Sequence, residues 1–407
     1  MKVLNYSLSL LLLCSLPSFA QEGGSLESYL SHNKQEQFRY DYAKSEAANA
    51  KLRDSWIAPL NLGYSYSRSN PYDSEQVAQN AYIKMDQPIF QSGGIYYGIK
   101  YAQASKLYSD YTIDVAKRKL IKETVSLLIQ IKQSDLRIAK QELLIDNSRM
   151  NLEQKEEQYM SGQLDSSFLD SAVIEKNSVT TALFDLESAK ERLISKFQVL
   201  SDSDYKTLEA PRLELMSSEA FMANNLIISQ NESEIEKNRY AKNVTIAKYL
   251  PHISLTAGYN WSKSENSRFN STMGSFSEEK DYYDYGVKAT MPLDFNTFRD
   301  IESSRVDYLK SELVREDKKR ELQALFEQVM QNIKNFDKKI ALAKENQKLY
   351  EKLLLDTKEL YEAGYKTSYD VATLQNSSKI QSYDVEIFTM DRALEILSLY
   401  EMYANEI

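Results

Sequence analysis

Tyr361-Glu362-Ala363-Gly364-Tyr365-Lys366-Thr367-Ser368-Tyr369-Asp370 is the stretch that decides the fold. It interrupts a run from Leu293 to Ile407 that has no proline and no glycine except Gly364. The residues between Leu293 and the glycine, if helical throughout, form a rod of about 107 Å at about 1.5 Å per residue. Along it Leu322, Phe326, Val329, Ile333, Phe336, Ile340 and Ala343 alternate spacings of four and three, which is the seam of a coiled coil. Helical pattern resumes after Asp370. The reading is a very long helix, a sharp turn at Gly364, and a second helix returning along the first.

The arrangement occurs twice. Ile99 to Ser161 is free of glycine and proline, Gly162 follows, and another uninterrupted run reaches Pro211. A shift of 202 positions lays Gly162 on Gly364, Tyr159 on Tyr361, Leu152 on Leu354, Ile138 on Ile340 and Ile131 on Ile333. These matches keep one heptad register without a gap, so an internal duplication is expected.

Composition excludes several classes. Only 11 glycines and 7 prolines in 407 residues leave too few turns for two or three ordinary globular domains. Removing the first 20 residues takes away one charge, Lys2, and leaves a net charge of −10. Without a basic run beyond short clusters such as Lys318-Lys319-Arg320, nucleic acid is not an expected partner. Met1 to Ala20 reads as a secretory signal, with Lys2, the apolar core Leu8–Leu13 and the small-residue site Ser18-Phe19-Ala20. It holds the sole cysteine, Cys14, behind the large Leu13, so no lipid anchor is expected and the processed chain has no thiol chemistry.

Between the signal and each long helix the pattern changes. A polar helix from about residue 25 to 58 stops at Pro59, and Leu60, Leu62, Tyr64 and Tyr66 then alternate with polar or small residues. A second strand is expected over about Ala81–Pro88. The second half repeats the order: a helix from about Asn224 to Tyr249, Pro251, then Ile253, Leu255, Ala257, Tyr259 and Trp261 in alternation. After a loop, Tyr283, Tyr285, Val287, Ala289 and Met291 alternate again, and Pro292 is read as opening the longest helix. Strands of about ten residues with one apolar face and aromatics toward the loop end are the mark of a membrane barrel with an aromatic girdle. That girdle would consist of Tyr64, Tyr66, Tyr259, Trp261, Tyr283 and Tyr285. A hairpin lying on a soluble core also alternates and is the competing reading.

The expected organisation is therefore a signal at 1–20, a first repeat over 21–205 with its hairpin at 60–88, a linker at 206–218, and a second repeat over 219–407 with its hairpin at 252–292. The first long helix has two apolar rows, Ile129/Leu136/Leu143/Met150 and Ile131/Ile138/Ile145/Leu152. Residues two apart lie on opposite sides of a helix, so this helix needs neighbours on both sides, as in the wall of a tube. Four strands do not close a barrel, and lipid does not tolerate an open sheet edge. Strands from several copies must be pooled.

The ordered set of Pro59 and Pro251 before strands, Pro88 and Pro292 after them, the two Tyr-x-x-Gly tips at Tyr159–Gly162 and Tyr361–Gly364, Ala172, and Asp370-Val371 resembles the TolC-like outer-membrane efflux protein family over nearly the whole processed chain. The resemblance implies a mainly helical fold with membrane β-structure. It would be a homotrimer whose helices form a periplasmic α-barrel and whose pooled strands form a twelve-stranded β-barrel. It implies an exit duct in the outer membrane of a Gram-negative bacterium, working with a periplasmic adaptor and an inner-membrane pump and needing no cofactor. In such a protein Ser161, Gly162, Ala363 and Gly364 would meet the adaptor. Asp370, with Lys366 and Tyr361, would form the constriction at the periplasmic end. Two departures stand out: Ser161 and Ala363 precede the tip glycines where the family often has a larger apolar residue, and Phe168 stands where an acidic residue often lies.

No catalytic constellation is visible. His32 and His252 lack partners at metal-ligand spacing, and no phosphate loop or nucleophile motif occurs. Asp370 has a plainer reading as well, since Ser368 or Asp370 just after a turn can act as a helix N-cap. A coiled-coil scaffold without a pore, in the periplasm or at the surface, is the alternative function.

Overall fold

The computed structural model describes residues 26–70, 75–266 and 276–404. The expected signal peptide with Cys14, most of the first hairpin loop and the second lie outside the described residues. Helix α1 (His32–Arg53) leads into β1 (Asn61–Ser69) and β2 (Gln76–Phe90), then α2 (Gly94–Met160) and α3 (Ser166–Leu200). The second half continues with α4 (Ser218–Ala223), α5 (Leu226–Lys248), β3 (His252–Asn266), β4 (Phe276–Thr290), α6 (Thr297–Glu362) and α7 (Ser368–Tyr400). At 67 and 66 residues, α2 and α6 are each about 100 Å long.

The coiled-coil seam of α6 is inside as expected. Leu322, Phe326, Val329, Ile333 and Ala343 are buried, and Phe336 and Ile340 are half-buried. Four of them join Phe221, Ile228, Ile396 and Leu399 in one cluster, so α6 packs on α4, α5 and α7. The first members of the two α2 rows separate as expected. Ile129 lies with Ile121, Val125 and Leu397 of α7, whereas Ile131 lies with Leu127, Leu128 and Ile194 and Phe197 of α3. Burying each of these large side chains contributes about 1.5–3 kcal/mol. The lower helices run side by side in the order α3, α2, α7, α6, and the upper ones in the order α1, α2, α5, α6.

All three clusters sit at mid-height, where the irregular segments wrap the rods. Tyr29 donates its hydroxyl to the Glu209 carbonyl at 2.9 Å, and Tyr400 to the Glu214 carbonyl at 2.9 Å, which ties down the linker. Leu226 N–H donates to Met402 at 2.8 Å, and Ala404 N–H to Asn224 at 2.9 Å, which anchors the C-terminal segment.

The strands form one antiparallel sheet in the order β1-β2-β3-β4. The two hairpins meet at β2 and β3, so the halves of the chain share one sheet. Three strands have 15 residues rather than the expected ten. β2 reaches back to Gln76 because Gln76 pairs with Ser69 on one side and Asn266 on the other.

Several boundaries differ from expectation. The first polar helix is shorter, with a 3-10 turn at Leu26–Tyr29 and α1 starting at His32 behind the Ser31 cap. The second lies where expected, at Leu226–Lys248 behind the Asn225 cap, but is preceded by a short helix, α4, that the pattern did not give. Pro292 lies two residues past the end of β4 and does not open α6. Asp294 takes the N–H of Asn296 on its carboxylate at 2.8 Å and the Thr297 hydroxyl on its carbonyl at 2.7 Å, which makes a turn before the helix begins.

Candidate channel wall and helix tips

Directly paired residues of an antiparallel sheet share a face, so the register assigns both faces. One rung reads Leu62, Ile83, Tyr259, Tyr283, and the rung above it Tyr64, Ala81, Trp261, Asp281. Met85, Ala257 and Tyr285 form the rung below, and Tyr66 with Gln79 and Lys263 the uppermost of the four. All six aromatic residues expected in a girdle therefore stand on one face. They spread over four rungs, which is about 20 Å of strand.

Their polar ends are aligned. Tyr64 donates to Gln79 at 3.3 Å, Tyr259 to Asp281 at 2.8 Å and Trp261 Nε1 to Glu279 at 2.8 Å. Each acceptor is one rung nearer the loop end. Rings with an apolar body and a polar tip turned the same way suit a boundary between apolar and polar surroundings. The opposite face is polar. It bears Lys84, Asp86, Thr256, Asn260, Asp284 and Lys288, with Asn260 donating to Asp284 at 2.6 Å. No helix among the described residues is long and apolar enough to cross a membrane.

At the other end of the molecule the two tips share one backbone design. Gly162 N–H bonds the Tyr159 carbonyl at 2.9 Å and Gln163 N–H bonds that of Gln158 at 2.8 Å. Gly364 repeats this with Tyr361, and Tyr365 with Leu360. This is the Schellman closure, which requires a left-handed residue, and Gly162 and Gly364 have φ of 73° and 81°. Tyr361 thus acts through its carbonyl, while its ring is exposed. Ser161 and Ala363 close the two helices at the residue before each glycine.

The next turn differs from expectation. Neither Ser368 nor Asp370 is the N-cap of α7; Thr367 is, with Asp370 as the third helical residue in a reciprocal capping box. Asp370 accepts the Thr367 N–H and hydroxyl, each at 2.9 Å, and its own N–H donates to Thr367 Oγ1 at 3.2 Å. Lys366 lies 3.9 Å from the other carboxylate oxygen. The Thr367 N–H first, then its hydroxyl and the Lys366 charge, hold the Asp370 carboxyl below the usual carboxylate range. At the first tip the carboxylate has moved to the cap itself. Asp165 accepts the N–H and hydroxyl of Ser167, chiefly the hydroxyl, which lowers its pKa, and Phe168 is exposed where Asp370 would fall. The Thr-x-x-Asp pattern of 367–370 is the signal that identifies this box in sequence.

A second feature had no reading in the sequence. Where α2 meets α7 the contacts form a polar ladder: Gln133 with Asp391 at 2.7 Å, Lys140 with Asp384 at 2.6 Å, Asn147 with Asn376 at 2.9 Å and Glu157 with Tyr369 at 3.0 Å. Gln133, Lys140 and Asn147 are seven apart, so a heptad row of polar residues was the available signal. Between the halves, α2 meets α7 through the apolar cluster of Ile121, Val125, Ile129 and Leu397 at mid-height and through this polar ladder below it. No group of three or more metal-ligating side chains occurs among the described residues.

Residues 218–382 match the outer membrane efflux protein family. No curated protein matches the chain in sequence. Among solved structures, the outer membrane protein VceC of Vibrio cholerae superposes with a TM-score of 0.72 at 13% identity, covering 93% of this chain and 96% of that one. The CmeC outer membrane channel of Campylobacter jejuni gives 0.71 at 13% identity, covering 100% and 95%. The MtrE outer membrane channel of Neisseria gonorrhoeae gives 0.61 at 13% identity, covering 92% and 86%. Residues 218–382 thus match the outer membrane efflux protein family, and the chain as a whole has the fold of those channels.

Proposed function

We propose that the chain is the passive exit duct of a tripartite efflux or type I secretion system. Three copies pool their strands into a twelve-stranded barrel in the outer membrane, and their helices form a tube in the periplasm. The observation that carries this reading is the face on which Leu62, Ile83, Met85, Ala257, Tyr259, Tyr283 and Tyr285 stand together across all four strands of a sheet whose outer strands, β1 and β4, each have one open edge among the described residues. Such a sheet needs lipid against one face and further strands at both edges. The edge helices support the same reading, because Ile174 and Phe184 of α3 and Leu342 and Leu349 of α6 are exposed in the single chain.

The tips at Ser161, Gly162, Ala363 and Gly364 are where a periplasmic adaptor docks, and an inner-membrane pump supplies the energy. Asp370 from each copy forms a carboxylate ring at the narrow end, held in place by its capping box, with Lys366 and Tyr361 beside it. Charges a few ångströms apart interact by about 4 kcal/mol at an effective dielectric of 20, so the ring favours cations. The test is conductance of the purified protein in planar bilayers. A cation-selective pore is expected, with selectivity and block by trivalent cations reduced in Asp370→Asn. Absence of any pore would overturn the duct; a pore with selectivity unchanged in that variant would remove the ring alone.

A further inference from the structure

The most exposed apolar surface outside the lipid-facing band lies just below the sheet, in the joint between β4 and α6. Leu293, Phe295 and Phe298 are 89%, 102% and 85% exposed. Side chains of this size are not left fully in water without a partner. A second exposed apolar group, Trp56, Ile57 and Leu60, lies in the joint between α1 and β1. Each joint is continuous with an open sheet edge: the first follows β4, the second precedes β1.

Strand direction brings them together. The sheet is an antiparallel meander, so β1 runs away from the helices and β4 runs back toward them. If β4 of one copy pairs with β1 of the next in the same alternating sense, the end of β4 at Thr290 comes beside the start of β1 at Asn61. The chain leaving β4 and the chain entering β1 then emerge on the same side of the sheet, a few residues apart. We infer that Leu293, Phe295 and Phe298 of one copy seat against Trp56, Ile57 and Leu60 of the next, forming an apolar clasp under each inter-copy strand pair. This rests on the pooled barrel proposed above and names the contact that holds its seams.

The clasp has a physical role distinct from the strand pairing. Backbone pairing at an edge tolerates slippage by two residues, because every such slip returns each side chain to the same face. A packed aromatic cluster at the foot of the edge strands selects one register. It also removes from water the three side chains that the single chain leaves most exposed in this joint. The lack of cysteine after Cys14 makes the contact directly testable.

Two double variants, Ile57→Cys with Phe295→Cys and Leu60→Cys with Leu293→Cys, are purified in detergent and treated with a short thiol-specific cross-linker. Native mass spectrometry measures the oligomer first. Covalent dimers and trimers on denaturing gels from at least one pair, absent from all four single-cysteine variants, are expected. Non-covalent trimers that yield no covalent species with either pair would overturn the clasp and leave the pooled barrel standing. Monomers from the unsubstituted chain would overturn the barrel itself. If the four apolar side chains face lipid instead, single and double variants alike will react with a membrane-partitioning maleimide in trimers, and the clasp fails on that result as well.

Discussion

Lys140 of the first half of the chain and Asp384 of the second meet at 2.6 Å in the middle of the ladder that joins α2 to α7. Their side chains are 30% and 16% exposed, so the pair is partly withdrawn from water. Removing one partner strands the other charge, whereas replacing both by apolar residues is close to neutral for such pairs. Lys140→Ala should therefore destabilise the rods by on the order of 1–2 kcal/mol, and Lys140→Met with Asp384→Leu should recover most of that. Thermal melting of the purified protein, followed by helical circular dichroism, reads both. Equal losses in the single and double variants would show that the pair is not coupled.

The box between Thr367 and Asp370 gives a prediction with a sign in pH. The Asp370 carboxyl is held below the usual carboxylate range, so the folded tip binds this proton less readily than the unfolded chain. Its stabilising contribution is complete above the unfolded value of about 3.9 and is lost as pH falls through the lower folded value. The carboxylate is about a third exposed, and solvent screening keeps the effect modest. Backbone amides at the start of α7 should exchange hydrogen faster, relative to those in the middle of α7, once the pH drops below that window. Thr367→Ala should loosen the same amides at neutral pH, at a cost of about 1 kcal/mol. Asp370→Asn should loosen them less than Thr367→Ala, because asparagine oxygen still accepts the Thr367 N–H, and should abolish the acid dependence, because the charge is gone.

At the tip glycines the cost of substitution is purely conformational. A Cβ at Gly162 or Gly364 would meet nothing within 4 Å, yet both backbones are left-handed. Gly364→Ala should cost about 1–2 kcal/mol, and Gly364→Asn less, since asparagine tolerates this region better. Local hydrogen exchange over Ala363–Lys366 would rank the three proteins; an alanine variant as well protected as the original would contradict the argument.

In the sheet, Ala257 lies between Met85 and Tyr285 on the apolar face, and Thr256 between Asp86 and Gly286 on the polar face. A cationic side chain facing lipid near mid-membrane costs about 2–4 kcal/mol. Ala257→Arg should sharply reduce the yield of assembled protein extracted from membranes, and Thr256→Arg should not. Equal yields would reverse or dissolve the assignment of faces.

How much of this was legible depends on the range of the interaction. The α6 seam and the two-sided α2 are written in heptads, and the tip turns in glycines that no other residue replaces without strain. Alternation placed Tyr259 and Trp261 on one face correctly. The far end of β2 was not legible, because Gln76, Gln79 and Asn80 are polar whichever face they take, and only pairing with β1 and β3 defines the strand. The start of α6 was misplaced because Pro292 suits a first helical turn, while the turn built on Asp294 has no apolar signature. The heptad row of Gln133, Lys140 and Asn147 marks a polar stripe on α2, but its partners lie more than 200 positions away, and no local pattern names them.

The join between the halves of the chain is unlike at its two ends. At the sheet β2 and β3 are held by a ladder of backbone pairs from Gln76 to Phe90; below the mid-height clusters α2 and α7 meet through side chains, along the polar ladder. Stiffness therefore falls along the molecule, as in a tuning fork gripped at its base. The 27 residues of α2 from Ser134 to Met160 make a tine about 40 Å long, and a lean of about 5° at its root carries the far end about 3.5 Å. Motion of that size opens the rung between Glu157 and Tyr369 near the far end, while Gln133 at the root keeps its contact with Asp391.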